Sequence, residues 1–155
     1  MRKFDIRIFG LAQIIDGVHF RGYFYKEGYI RTSSYAYNQD FKDRDVHLTN
    51  DAIQGRAEDY GKFEQGNKIS FKDFGIYLMN YKKVDFEKII VPKMRDAIKE
   101  TLEALWARLK DKQDSKILNQ FELLGYDFMI DEEMNVYLIE VNTNPCLDTS
   151  PCPLL

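Results

Sequence analysis

The sequence predicts an α+β fold, a mainly antiparallel sheet packed with helices. Three patterns carry this expectation. Residues 2–10 alternate, with Phe4, Ile6 and Ile8 on one side and Lys3, Asp5 and Arg7 on the other, as in a strand with one buried face. Met94, Ile98, Leu102, Leu105 and Leu109 recur at intervals of three and four, the period of an amphipathic helix. Residues 126–131 and 136–141 are two β-rich runs separated by a polar stretch, the form of a hairpin.

In chain order, the first strand at 2–10 is followed by a second at 18–25. Lys26-Glu27-Gly28 reads as a turn, with Gly28 where a positive φ is required. A third strand at 29–32 completes a meander, with Arg31 towards its far end. Its neighbours Thr32-Ser33-Ser34 open a polar, aromatic loop over 33–45. Thr49 or Asn50 suits the N-cap of a short helix through Gln54. Residues 55–70 contain three glycines and read as a loop. Ser70 then caps a helix from Phe71 to about Tyr81, with Asp73 in its first turn. The helix at 85–110 carries Pro92 early, where proline is tolerated. Trp106 is expected to pack against the sheet, and residues 111–118 close the helix.

The hairpin at 125–147 has a register that arithmetic predicts. With residues 132–135 as a four-residue loop, paired positions sum to 267. Met129 then faces Leu138, and Asp127 faces Glu140. Directly opposed residues have Cβ atoms about 4.5–5.5 Å apart. Asn142 lies two residues past Glu140 and shares its side. Two carboxylates and an amide therefore converge. Opposed carboxylates repel unless one protonates or a cation lies between them. Mg²⁺, held by one or two carboxylates and nucleotide phosphates, suits such a patch. A solvated acidic face is the simpler reading of the spacing taken alone. Phe128, Ile130, Tyr137, Ile139 and Val141 form the apolar face of the same hairpin.

Elsewhere, spacing leaves the polar residues ambiguous. Lys3, Asp5 and Arg7 read equally as a solvated strand face or as a polar floor for an anion. Arg31 at a strand end is a surface residue or a clamp for carboxylate or phosphate.

Composition narrows the function classes. The chain has 155 residues, 45% hydrophobic and 30% charged, with a net charge of −3. Such a balance gives no whole-chain attraction to nucleic acid or to an anionic membrane. No apolar run reaches the roughly 20 residues of a membrane span. The start, M-R-K-F-D-I-R, has no signal-peptide apolar region. Two cysteines, Cys146 and Cys152, read as thiols in a reducing compartment, so a cytoplasmic location is expected.

Four stretches, in order, carry a resemblance to a known family: R-K-F-D-I-R (2–7), Y-I-R-T-S-S (29–34), H-L-T-N (47–50) and G-Y-D-F-M-I-D with V-Y-L-I-E-V-N-T-N-P (125–145). With Y-G-K-F-E-Q-G-N (60–67) as context, the chain resembles the tubulin–tyrosine ligase and ligase-like family over nearly its whole length. The resemblance implies an ATP-grasp fold and a cytoskeletal location, with the cilium or basal body among the expected sites. It implies Asp127, Glu140 and Asn142 as Mg²⁺ ligands, and Lys3, Asp5, Thr49 and Asn50 as residues that touch ATP. Arg7 is placed near the terminal phosphate, and Arg31 at the reacting end beside the incoming amino acid. The implied reaction is ATP-dependent amide formation through an acyl phosphate, with the acidic C-terminal tail of tubulin as acceptor. Tyrosine, glutamate and glycine are all used as the added amino acid within the family. Basic patches around Lys62, Lys68 and Lys72, or Lys82, Lys83 and Lys88, are expected to meet the tail. Family members carry a further N-terminal region before R-K-F-D-I-R, so the chain reads as the C-terminal portion of the domain, incomplete at its N-terminus, with that N-terminal half as an expected partner. A non-catalytic remnant serving as an interaction module is the alternative.

Overall fold

The computed structural model describes residues 1–112 and 119–147. The expected stretch at 113–118, the proline-containing tail and Cys152 lie outside the described residues. The elements are β1 (Arg2–Ile15), β2 (His19–Ala36), α1 (Arg44–His47), α2 (Asp51–Gln54), β3 (Lys68–Ser70), α3 (Phe71–Lys82), α4 (Val91–Leu109), β4 (Asn119–Ile130) and β5 (Val136–Thr143). One antiparallel sheet runs β3-β2-β1-β4-β5. The α+β expectation therefore holds.

The meander does not. Strand β1 runs on to Ile15 and turns at Asp16-Gly17, both with positive φ. Asp-Gly between apolar runs is the strongest short hairpin signal, because both central residues of the turn need positive φ. Strand β2 then returns unbroken. Lys26 and Glu27 lie in a bulge: Ile8 pairs with Gly28 and Gly10 with Phe24, so three residues of β2 oppose Phe9. Gly28 is needed for close approach rather than for a turn. A Cβ there would collide with the Arg7 carbonyl oxygen and stand 2.6 Å from the Phe71 ring. The loops expected at 33–45 and 55–70 each give up an end to the sheet, since β2 continues to Ala36 and β3 pairs with it at Lys68–Ser70. Strand β4 likewise begins at Asn119, not Tyr126, and pairs with β1 from Ile15 to Ile6.

Helices cover one face of this sheet. Phe71, Phe74 and Leu78 of α3 and Met94, Ile98 and Leu102 of α4 bury themselves on Ile6, Ile8, Ile30, Tyr126 and Phe128. Each such large apolar side chain contributes roughly 1.5–3 kcal/mol on burial. Ser70 caps α3 through Asp73 N at 3.0 Å, as its sequence signature predicts. Helix α4 is preceded by one π-helical turn, Phe86–Ile90, and Pro92 falls in its first turn. The Trp106 ring stacks on Phe20 of β2 at 5.2 Å. Among the described residues, no helix is long and apolar enough to cross a membrane.

Alternation sends the other set of strand residues to the face away from the helices. Asp5, Arg7, Tyr29, Arg31, Lys68 and Asp127 lie there.

Candidate functional site

The register arranges this second face as two rows across the strands. One row reads Glu140, Asp127, Arg7, Tyr29 and Ser70, on β5, β4, β1, β2 and β3. The next reads Asp5, Arg31 and Lys68, on β1, β2 and β3. Neighbours in a row are about 4.5–5.5 Å apart at Cβ. Residues far apart in sequence therefore meet without any loop to carry them.

At the centre lies a buried quartet of two arginines and two aspartates. Arg7 forks onto Asp127, its Nε donating to Oδ1 and its NH2 to Oδ2 at 3.0 Å. The Arg31 NH2 group reaches the same Asp127 Oδ2 at 2.8 Å, and its Nε donates to Asp5 Oδ1 at 2.6 Å. The side chains of Arg7, Arg31 and Asp127 are each less than one-tenth exposed. Burial pushes the Asp127 carboxyl up, but the hydrogen bond from Arg7 and the charge of Arg31 overcome it and hold the group below the usual carboxylate range. Burial alone would lower Arg31, but Asp5 and Asp127 raise it above its ordinary value. The quartet is neutral, and its guanidinium forks have the geometry that recognises carboxylate or phosphate.

Asp127 does face Glu140, as the sequence arithmetic predicts. The rest of the predicted hairpin needs correction. Phe128 pairs with Leu138, Met129 with Tyr137 and Ile130 with Val136, one residue out of the expected register. The loop holds five residues, Asp131 to Asn135, because the Asp131 carboxylate accepts from Glu133 N, Asn135 N and the Tyr137 hydroxyl. A bulge at Ile139 absorbs the difference and restores the predicted register at Glu140. It also inverts the faces between the loop and the bulge, so that Val136 and Leu138 pack on the core and Tyr137 is exposed, contrary to expectation. Ile139, in the bulge, and Val141, beyond it in the predicted register, are exposed as well.

Asn142 donates to Glu140 Oε1 at 3.0 Å and lies 3.5 Å from Asp127 Oδ2. Glu140 is exposed. Two carboxylates and an amide give an all-oxygen donor set suited to a hard divalent cation, once the amide presents its oxygen. Among the described residues, no three His, Cys, Asp or Glu side chains converge on a ready-made metal cage.

The remaining predicted residues border the quartet. The Thr49 hydroxyl donates to Asp5 Oδ2. Asn50 is the N-cap of α2, but its side chain makes no cap hydrogen bond and stands exposed. Lys3 is half-buried on the same strand face, and burial lowers its ammonium despite Asp5.

Four contributors escape sequence reasoning. Tyr29 is buried between Arg7 and Lys68, and burial raises its phenol against the pull of both arginines. Lys68, expected in a surface patch, is buried and bridges Asp51 at 2.8 Å. Asn67 accepts from Gly61 N at 2.8 Å and donates to the Thr32 carbonyl and the Ser34 hydroxyl, at 3.0 and 2.8 Å. Gln54 accepts from Ser34 N at 2.7 Å and donates to the Asp45 and Leu48 carbonyls at 2.7 and 2.6 Å. An Asp-Gly turn would have announced the long β2, and with it Tyr29. Strand β3 has three residues, too few for any periodicity.

Gln54 positions the segment that lays Thr49 on Asp5. Its side chain is buried, so Gln54→Ala orphans a backbone donor and two carbonyls. A loss of about 3 kcal/mol is expected, since each buried group left unsatisfied costs about 1–3 kcal/mol. Urea unfolding measures it, and an unchanged midpoint would contradict this role.

Fold and site together define an α+β protein with a paired cluster of two arginines and two aspartates on the helix-free face of its sheet. The comparisons specify the kind. The chain belongs to the tubulin-tyrosine ligase family, whose model matches residues 1–154. It is 35% identical over 158 residues to tubulin glycylase 3D and 32% over 151 to tubulin glycylase 3B, both of Tetrahymena thermophila. It is 29% identical over 153 residues to the probable tubulin polyglutamylase TTLL9 of Mus musculus. Each match covers 96% of this chain. The chain spans 14% and 12% of the two glycylases and 31% of the polyglutamylase.

Proposed function

We propose that this chain forms the nucleotide and metal face of an ATP-dependent ligase, of ATP-grasp type, that joins an amino acid to the C-terminal tail of tubulin. The observation that carries this reading is the largely buried quartet of Asp5, Arg7, Arg31 and Asp127, whose arginine forks have the geometry that recognises phosphate or carboxylate, beside the exposed carboxylate of Glu140. The family and the glycylase and polyglutamylase relatives support tubulin as acceptor, with glycine or glutamate as the amino acid added. The site of action is the cytoplasm, at the cytoskeleton.

In this reading Lys3, Asp5, Thr49 and Asn50 hold the nucleotide. Arg7 faces its terminal phosphate, and Arg31 the carboxylate to be activated. Asp127, Glu140 and Asn142 hold Mg²⁺, which supplies charge neutralisation between the phosphates and the reacting carboxylate. A tail carboxylate oxygen attacks the terminal phosphorus, and ADP leaves. The amine of the incoming amino acid then attacks the acyl carbon of the resulting acyl phosphate. Phosphate departs as the amide forms, and the amine gives up its proton. The arginines contribute by cancelling charge as anions are brought together, which is most effective in a dry, preorganised site. Positioning and electrostatics suffice, and no covalent nucleophile on the protein is required.

The test is incubation of the chain with ATP, tubulin and labelled glycine, glutamate or tyrosine in turn. ATP-dependent incorporation of glycine or glutamate is expected. Incorporation of none of the three, or incorporation indifferent to ATP, would sink the proposal.

A further inference from the structure

We propose that Lys68 binds a substrate carboxylate next to Arg31, and so is a further binding residue of the ligase site; this rests on the ligase reading above. Lys68 lies on β3 directly opposite Arg31, on the same face. Its side chain is 5% exposed, an unusual state for a lysine. Its ammonium lies 5.5 Å from the centre of the Tyr29 ring, within reach of a cation–π contact. Tyr29 is in turn the cross-strand partner of Arg7. Arg7, Arg31 and Lys68 thus lie on one face of the sheet, a common floor over three strands.

The charges on that floor are unequal. Arg7 and Arg31 are neutralised by Asp127 and Asp5. Lys68 has no such partner on the sheet among the described residues. Its carboxylate comes from Asp51, at the start of α2 on the segment that crosses the site. The Asp51 side chain is 49% exposed. An exposed carboxylate is well hydrated and gives a buried ammonium weak compensation. Asp51 also shows that a carboxylate approaching from the solvent side reaches Lys68 at 2.8 Å. We take it as the internal occupant that a substrate carboxylate displaces. The chemistry is shared by two sources, the α-carboxylate of the incoming amino acid and a glutamate side chain of the acceptor tail.

Calorimetric titration separates them. A non-hydrolysable ATP analogue with Mg²⁺ is titrated into the wild-type chain, Lys68→Met, Lys68→Arg and Asp51→Asn. Glycine, glutamate and a glutamate-rich peptide are then titrated into each nucleotide-saturated protein. Lys68→Met is expected to bind the analogue within about twofold of wild type and to weaken a carboxylate ligand about tenfold or more, the scale of one charge-assisted contact. Lys68→Arg restores most of that loss. Weakening of the amino acids identifies the α-carboxylate, and weakening of the peptide identifies the tail. Asp51→Asn removes the competitor without touching Lys68, so it tightens the same ligand, whereas a purely structural ion pair predicts no tightening. The inference is overturned if neither ligand weakens, if wild type binds nucleotide but neither ligand, if Asp51→Asn does not tighten the ligand, or if the loss in Lys68→Met falls on the nucleotide. Absence of nucleotide binding by the wild type would instead remove the ligase reading on which it rests.

Discussion

Asp127→Ala is expected to destabilise the chain by about 3–5 kcal/mol, the cost of breaking a buried ion pair by removing one partner. Its carboxylate accepts from Arg7 through both oxygens and from Arg31 through one, inside a site almost closed to water. Removing it leaves two buried guanidinium groups with Asp5 alone. Asp127→Asn keeps the shape but not the charge and is expected to lose less. The effect has a pH signature. The folded-state pKa of Asp127 lies below its unfolded value, because the arginines outweigh burial. Its contribution is therefore complete above about pH 4, the ordinary carboxylate value, and is lost as pH falls through the folded-state pKa. Urea unfolding between pH 3 and 7 checks both points. The wild type should weaken steeply on the acid side and Asp127→Asn less so. Equal midpoints and parallel pH profiles would contradict the role of the quartet.

Glu140→Gln is expected to lower amino-acid incorporation by about 10²–10³-fold, the usual loss when one group that stabilises developing charge is removed. Stability should move by no more than about 0.5 kcal/mol, as for surface substitutions generally. Glu140 is exposed, and its side chain accepts a hydrogen bond from Asn142. The pair Asp127 and Glu140 thus separates two roles within one proposed ligand set. Asp127 is woven into the sheet by arginines, while Glu140 stands exposed, so its proposed role is chemical rather than structural. Incorporation assays beside urea unfolding of the same variant provide the check. Turnover equal to wild type would remove Glu140 from the proposed cation site.

Much of this site was legible in the chain. Alternation at 2–10 put Asp5 and Arg7 on one face, and the hairpin arithmetic put Asp127 opposite Glu140. The first follows from the two-residue period of a strand, which the hydrophobic pattern fixes; the second rested on a four-residue loop and holds because the bulge at Ile139 offsets the fifth loop residue. What failed to appear was set by irregularities with no compositional mark. The bulge at Ile139 exchanges the faces of β5 between the loop and the bulge while leaving Glu140 in register. The bulge at Lys26-Glu27 mimics a turn, since Gly28 is present for contact with Phe71 and not for its φ. Gln54 and Asn67 look like loop polar residues, and their importance comes from burial created by chain segments remote in sequence. Lys68 was concealed for the same reason. A lysine reads as surface until its strand is known to be paired, and β3 is specified by β2 rather than by its own three residues.

The central claim is that the open face of the sheet is a nucleotide site completed by a divalent cation. Titration of the wild-type chain with a non-hydrolysable ATP analogue, with and without Mg²⁺, tests it most directly, with Arg7→Ala as the comparison. Binding should be strengthened by Mg²⁺ and weakened by Arg7→Ala about tenfold or more, as expected for a lost charge-assisted fork onto phosphate. No binding by the wild type, or binding indifferent to both Mg²⁺ and Arg7, would contradict it.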